Sequence, residues 1–301
     1  MSELKEKEIP GSNELDHLIK LLDDEDESVY SNVRDRFISH GKDTSDYLEN
    51  FLSNKLIEEN NLIRKRASEV ITAINFENIE SEMTQLINSG NKYILEDAML
   101  IIASYGYPLI DKSDYKSKLD KISSDIKAIL SEKEIKNSEM PPQEILKTIN
   151  NFLFREKGFT GNSDNYYDPD NSFINKVIDD RKGIPVTLSI LYMLIARRLD
   201  LPVYGINLPG HFILKHNNGN AEEEYFIDPF NKGVLISVKE ASQFIKNSGM
   251  SKDEFIDIPY LKPSTDKEIL LRVLRNLSEA FKKENEFLKS EQIEKLMLNF
   301  A

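Results

Sequence analysis

The chain contains no cysteine in 301 residues. That absence removes a disulfide framework, a thiolate metal site and a thiol nucleophile together. Basic side chains are also in short supply, with 39 Lys and Arg against 52 Asp and Glu and a formal net charge of -13. Phosphate backbones and anionic lipid repel such a chain as a whole, so neither nucleic-acid nor membrane binding is expected of it. Long apolar runs are missing too. The longest, Ile184 to Ala196, is interrupted by Thr187 and Ser189 and bounded by Arg181, Lys182, Arg197 and Arg198. It is too short to span a bilayer and reads as a buried helix. Met1 to Pro10 carries Lys and Glu without the apolar segment of a secretory signal, which makes the cytoplasm the expected location.

What is present suffices for a core, since 40% of the residues are apolar and the length corresponds to about two domains. From Glu14 to Tyr105 apolar residues recur at helical spacing with few Gly or Pro to interrupt them. Leu15, Leu18, Ile19 and Leu22 form one stripe, and Val29, Val33, Phe37 and Ile38 form the next, closed by His40-Gly41 as a helix cap. A second pair holds Leu48, Phe51, Leu52 and Leu56, then Ile63, Ala67, Val70, Ile71 and Ile74. A third pair spans Ile79 to Ile87 and Tyr93 to Tyr105. Val33-Arg34-x-Arg36 and Ile63-Arg64-x-Arg66 repeat at about 30 residues, the period of stacked helical hairpins, and the stretch resembles HEAT-type repeats. The basic run Arg64-Lys65-Arg66 reads as a solvated helix face.

Met140-Pro141-Pro142 breaks any helix reaching it. Beyond it the pattern changes to a helix at Ile145 to Phe154, a polar loop at Gly158 to Ser172, a helix at Phe173 to Asp180 and the buried helix. Strands follow at Val203 to Leu208, His211 to His216, Glu224 to Asp228 and Gly233 to Ser237, and Lys267 to Phe300 returns to helical spacing. The expected fold is α+β: helical hairpins over residues 1–135, a cleft domain with an antiparallel sheet over 142–262, and a closing helical pair over 263–301.

One constellation can carry chemistry. A turn centred between Gly219 and Asn220 places His211 directly opposite Asp228, and a carboxylate beside an imidazole fixes its tautomer and stabilises the imidazolium. The register decides this, because a one-residue slip sends a side chain to the other face. His216 lies at odd spacing from His211, so the two do not form a joint metal site. Asp164-Asn165-Tyr166-Tyr167-Asp168-Pro169-Asp170-Asn171 is rich in oxygen ligands but lacks the glycine and final glutamate of a calcium loop. No metal and no cofactor are expected.

The ordered motifs Asn151-Phe152-Leu153-Phe154, Gly158-Phe159-Thr160-Gly161-Asn162, Tyr166-Tyr167-Asp168-Pro169, Arg181-Lys182-Gly183-Ile184-Pro185-Val186-Thr187-Leu188-Ser189, Leu208-Pro209-Gly210-His211-Phe212 and Phe226-Ile227-Asp228-Pro229-Phe230 are similar to those of the SirB-type transglutaminase-like family, as is the later Ile269-Leu270-Leu271-Arg272. The resemblance covers about half the chain and implies a papain-like core in which a Cys begins a buried helix opposite His and Asp. Carried over by motif, His211 and Asp228 take the second and third places. The Cys position falls on Pro185, which suits the first helical turn but holds no nucleophile. Asn151, Tyr166, Tyr167 and Pro185 become candidate binding residues.

Two functions compete. One is a cleft that has lost cysteine chemistry and binds a peptide or protein partner, with the helical half as adaptor. The other is a hydrolase or acyl transferase using Ser189 or Thr187 with His211 and Asp228, although a helical hydroxyl more commonly bonds back to the preceding turn. A vestigial cleft in a regulatory module is a third outcome. Nothing in the pattern specifies an oligomeric state.

Overall fold

Helical spacing in the first half builds helices closely matching the apolar stripes. The computed structural model describes residues 12–52, 61–91, 93–136, 140–217, 225–236 and 261–300, and two compact units divide the chain, Met1–Gln85 and Leu86–Ala301. The first unit contains α1 (Ser12–Leu21), α2 (Glu27–His40), α3 (Lys42–Leu52) and most of α4 (Asn61–Asn88). Its core is Leu15, Ile19, Leu22, Val33, Phe37, Leu48, Ala67, Val70 and Ile74. Asp26 starts α2 by accepting the Ser28 N–H, and Gly41 ends it at φ 77°, a left-handed value that favours glycine.

Two expectations for this half need correction. The segments around Ile63–Ile74 and Ile79–Ile87 are one continuous helix, α4, because nothing between Asn75 and Asn78 interrupts the backbone hydrogen bonds. Arg66 is not on a solvated face: it is buried, donates Nη1 to the carbonyls of Leu22 (3.0 Å) and Asp24 (2.6 Å), and pairs Nη2 with Glu27 at 2.8 Å. It satisfies carbonyls that the end of α1 leaves without helical partners.

The second unit begins with α5 (Leu95–Gly106) and α6 (Lys112–Lys136), the latter a 25-residue helix that the apolar stripes did not announce. Next come α7 (Pro142–Asn150), a π-helical turn at Asn151–Glu156, the two-residue strand β1 (Thr160–Gly161), a 3₁₀ turn at Pro169–Ser172, α8 (Ile174–Asp180) and β2 (Lys182–Gly183). Then follow α9 (Pro185–Arg198), β3 (Val203–Leu208), β4 (His211–His216), β5 (Tyr225–Asp228) and β6 (Val234–Ile236). The chain closes with α10 (Asp266–Lys283) and α11 (Phe287–Met297). The break between units falls in the last turn of α4, and residues 131–136 of the expected linker are the last turns of α6, inside the second unit.

The sheet is an antiparallel meander in the order β3-β4-β5-β6, and β1 pairs with β2 in parallel. Helix α9 packs against β3, β4, α6 and α8, which explains its composition: every residue from Pro185 to Ala196 is buried. Asp266, at the start of α10, accepts the N–H groups of Ile94 and Leu95 and pairs with Arg197, joining α5, α9 and α10.

Candidate functional site

The site forms where the start of α9 meets the turns of the sheet. Pro185 is the first residue of α9 and is buried; its fixed φ suits a helix start and its lacking N–H costs nothing there. Thr187, two residues on, accepts the Ile184 N–H at 3.2 Å and donates its hydroxyl to the Asn171 carbonyl at 2.7 Å. It thereby ties the helix start to the polar loop. Ser189 is fully buried and its Oγ has no hydrogen-bond partner among the described residues. Among the described residues neither hydroxyl makes a hydrogen bond to His211.

His211 and Asp228 do meet. Nε2 of His211 lies 2.8 Å from Oδ2 of Asp228, and both residues are buried. The register that achieves this differs from the expected one. Leu214 pairs with Ile227 and Lys215 with Phe226, so the ladder is displaced by two residues from a turn centred between Gly219 and Asn220, residues that lie outside the described ones. A two-residue displacement preserves which face each side chain occupies, so His211 reaches Asp228 diagonally.

Asp228 is held by more than the histidine. Asn231 donates its side-chain amide to Oδ2 at 2.7 Å and its backbone N–H to Oδ1 at 3.2 Å. Burial pushes the carboxyl up, but the hydrogen bond and charge of His211, with the two Asn231 donors, outweigh it and hold Asp228 below the usual carboxylate range. Asn231 was missed from the sequence; its signal is the Asp-x-x-Asn spacing, in which an Asp side chain accepts from a turn it begins.

Phe230 links this pair to the start of α9. Its ring meets His211 edge-on at 6.3 Å and Tyr166 at 6.4 Å, and it lies against Gly161, where a Cβ would come within 2.6 Å of the ring. Gly161 in turn is the strand partner of Gly183, two residues before Pro185. His211, Phe230, Tyr166, Gly161 and Gly183, just before α9, therefore form one connected chain of contacts.

Tyr166 is half-buried and packs edge-on against Tyr167 at 5.3 Å, while Tyr167 is exposed with Lys283 above its ring. Burial raises the Tyr166 phenol, with Arg272 pulling the other way, so the hydroxyl stays a neutral donor at physiological pH. Asn151 is not in the cleft: it is exposed and bonds Glu156. Its neighbour Asn150 instead donates to the Gly233 carbonyl beyond Asp228. Asn171, the buried last residue of the oxygen-rich stretch, is the hub of the polar loop, accepting from Asn162 and donating to the carbonyls of Asn165 and Tyr166. Asp168 starts the 3₁₀ turn by accepting the Asp170 N–H. The oxygen-rich stretch is thus built around its own backbone. Among the described residues no group of three His, Asp or Glu stands in metal-binding proximity, and no helix is long and apolar enough to cross a membrane.

A buried helix whose start meets a sheet bearing a His–Asp pair defines the transglutaminase-like class of fold. The model of the transglutaminase-like superfamily matches residues 113–275, over half of the chain, and the chain belongs to that family. A UPF0162 protein of Xylella fastidiosa is 31% identical over 193 residues, covering 64% of this chain and 66% of that protein. A UPF0162 protein of Pseudomonas aeruginosa is 28% identical over 183 residues, or 61% of this chain and 63% of that one. The chain thus spans just under two thirds of the length of these relatives. The human F-box only protein 21 is 34% identical over 108 residues, 34% of this chain but 17% of that protein. No solved structure matches the chain.

Proposed function

We propose that the protein is a cytoplasmic, SirB-type transglutaminase-like binding module in which cysteine chemistry has been lost and the His211 cleft holds a peptide or protein segment. The observation that supports this reading is at the start of α9: Pro185, onto which the motif resemblance carries the family nucleophile, has no reactive group, and the nearby hydroxyls of Thr187 and Ser189 make no hydrogen bond to His211 among the described residues. A base and its orienting carboxylate without a nucleophile perform no acyl transfer. Shape and polar groups nevertheless survive: His211, Asp228, Tyr166 and Phe230 still line a defined surface. The recurrence of a related stretch as a small fraction of a longer protein supports a modular use.

The helical hairpins α1–α2 and α3–α4 are proposed as a short HEAT-type adaptor, since stacked hairpins present extended surfaces for partners. The overall negative charge favours neutral or basic partners over nucleic acid.

Two measurements test the reading. Amine incorporation into glutamine peptides and cleavage of peptide bonds are expected to stay at background with the purified full chain. Turnover that disappears in His211→Ala would overturn the proposal and return Ser189 or Thr187 as nucleophile. In parallel, end-capped tetrapeptides titrated into labelled protein are expected to shift the NMR signals of His211 and Tyr166. Absence of any such shift across the library would remove the peptide-binding claim.

A further inference from the structure

Arg272 sits on α10 beside the buried Val273 and is itself half-buried. Its Nη1 donates to Oδ1 of Asn207 at 3.0 Å and reaches the Leu208 carbonyl at 3.5 Å. Both acceptors are neutral, and no carboxylate stands within ion-pair distance of the guanidinium among the described residues. In a chain with 52 acidic side chains this is unexpected. Arg66, Arg197 and Arg198, also covered by protein, each have a carboxylate within 2.8 Å. Partial burial, joined by the like charge of Arg275 and opposed by Tyr166, lowers Arg272 below the ordinary arginine range.

The remaining donors of the fork, Nε and Nη2, make no hydrogen bond among the described residues. The Tyr166 hydroxyl makes no hydrogen bond among the described residues either. A planar fork with unused donors is the donor set that an oxyanion takes.

Two separate routes connect that set to the cleft. Leu208, whose carbonyl Arg272 reaches, is the strand partner of His211 across the β3–β4 turn. Tyr166 adjoins Phe230, and Phe230 adjoins His211. Further along α10, Lys283 covers the Tyr167 ring, so the helix offers a second cation to the same aromatic pair.

We propose that Arg272, assisted by the Tyr166 hydroxyl, anchors an oxyanion of the ligand that occupies the His211 cleft. The anion is a carboxylate or a phosphate group, and the ligand supplies the counter-charge that the protein withholds. The proposal deepens the binding reading above and rests on it for the cleft's role.

The test uses the full chain and two probes, inorganic phosphate and N-acetylglycine, titrated at constant ionic strength against chloride and followed at the Arg272 Nε–H signal and by calorimetry. Saturable binding of either probe is expected, and which one binds identifies the source of the oxyanion. Arg272→Gln should abolish it. Arg272→Lys, which keeps the charge without the fork, should weaken it by about tenfold, or about 1.4 kcal/mol. Tyr166→Phe should weaken it by a smaller factor with no change in charge, and serves if Arg272→Gln fails to fold. Arg155→Gln, on an exposed arginine elsewhere, should leave it unchanged. No saturation with either probe, or equal saturation in Arg272→Gln, overturns the proposal. Anion binding that survives while every capped peptide fails would remove the peptide reading and leave the anion site standing. Peptide binding that persists equally in Arg272→Gln, without anion binding, would do the reverse.

Discussion

In the first unit the buried polar side chains among the described residues are Thr44, Ser45 and Arg66, and the last of these serves the backbone at the end of a helix. In the second unit they include Asn171, Thr187, Ser189, His211 and Asp228, four of them within hydrogen-bonded connections that join loop, helix and sheet. Burying polar groups costs free energy unless each is paired, so an interior rich in them marks the part of the molecule where shape alone does not suffice. The first unit is held by apolar stripes that many sequences would satisfy. The second fixes particular atoms in particular places.

The sharpest way to break this contrast is to remove one anchor from each interior. Phe37→Ala in the first unit and Asp228→Ala in the second should each cost about 3–5 kcal/mol in urea denaturation, the one through a cavity and the other through unpaired donors on His211 and Asn231. They should part company with pH. The folded carboxyl of Asp228 is held below its usual value of 3.8, so its contribution is complete above that value and is lost as pH falls through the folded one. Wild type and Asp228→Ala should therefore converge in acid, whereas the deficit of Phe37→Ala should persist. A parallel deficit for both across the acid range would erase the distinction.

Smaller effects sharpen it. Arg66→Met should cost about 1.5–3 kcal/mol by stranding the Leu22 and Asp24 carbonyls, and Arg66→Lys should recover little, because one ammonium cannot reproduce the fork. Thr187→Val should cost about 1–3 kcal/mol by unpairing the Asn171 carbonyl. Ser189→Ala should change stability by about 0.5 kcal/mol or less, since its hydroxyl already lacks a partner. A large loss of stability in Ser189→Ala would show that this hydroxyl is engaged after all.

The helices and strands were legible because periodicity is local: the stripes Leu15–Leu22 and Val29–Ile38 became α1 and α2, and the strand limits at Val203, Leu208, His211 and His216 coincide with β3 and β4. What was illegible depended on distant partners. The continuity of α4 turns on the absence of a breaker, which apolar grouping disguises. Helix α6 was missed because its apolar residues are sparse and its surface heavily charged. His211 and Asp228 were visible as a pair through motif order and strand parity, but their exact register was not, because a two-residue displacement leaves the face pattern intact. Asn171 and Asn231 read as ordinary loop residues until the carbonyls and carboxylate they serve are brought to them.

The contact between Gly161 and Phe230 carries a consequence for how this sequence can drift. A methyl group at Gly161 would lie 2.6 Å from the Phe230 ring and 2.8 Å from the Phe230 backbone oxygen, so the first position can gain a side chain only if the second gives way. A lineage that acquires alanine at the first must shift the backbone of the second as well as shrink its ring, and one that shrinks the second uncovers the imidazole edge that Phe230 now shields. Covariation between these two columns among relatives would then report on the cleft's occupant: pairs that relax in concert belong to descendants in which the histidine has stopped being needed.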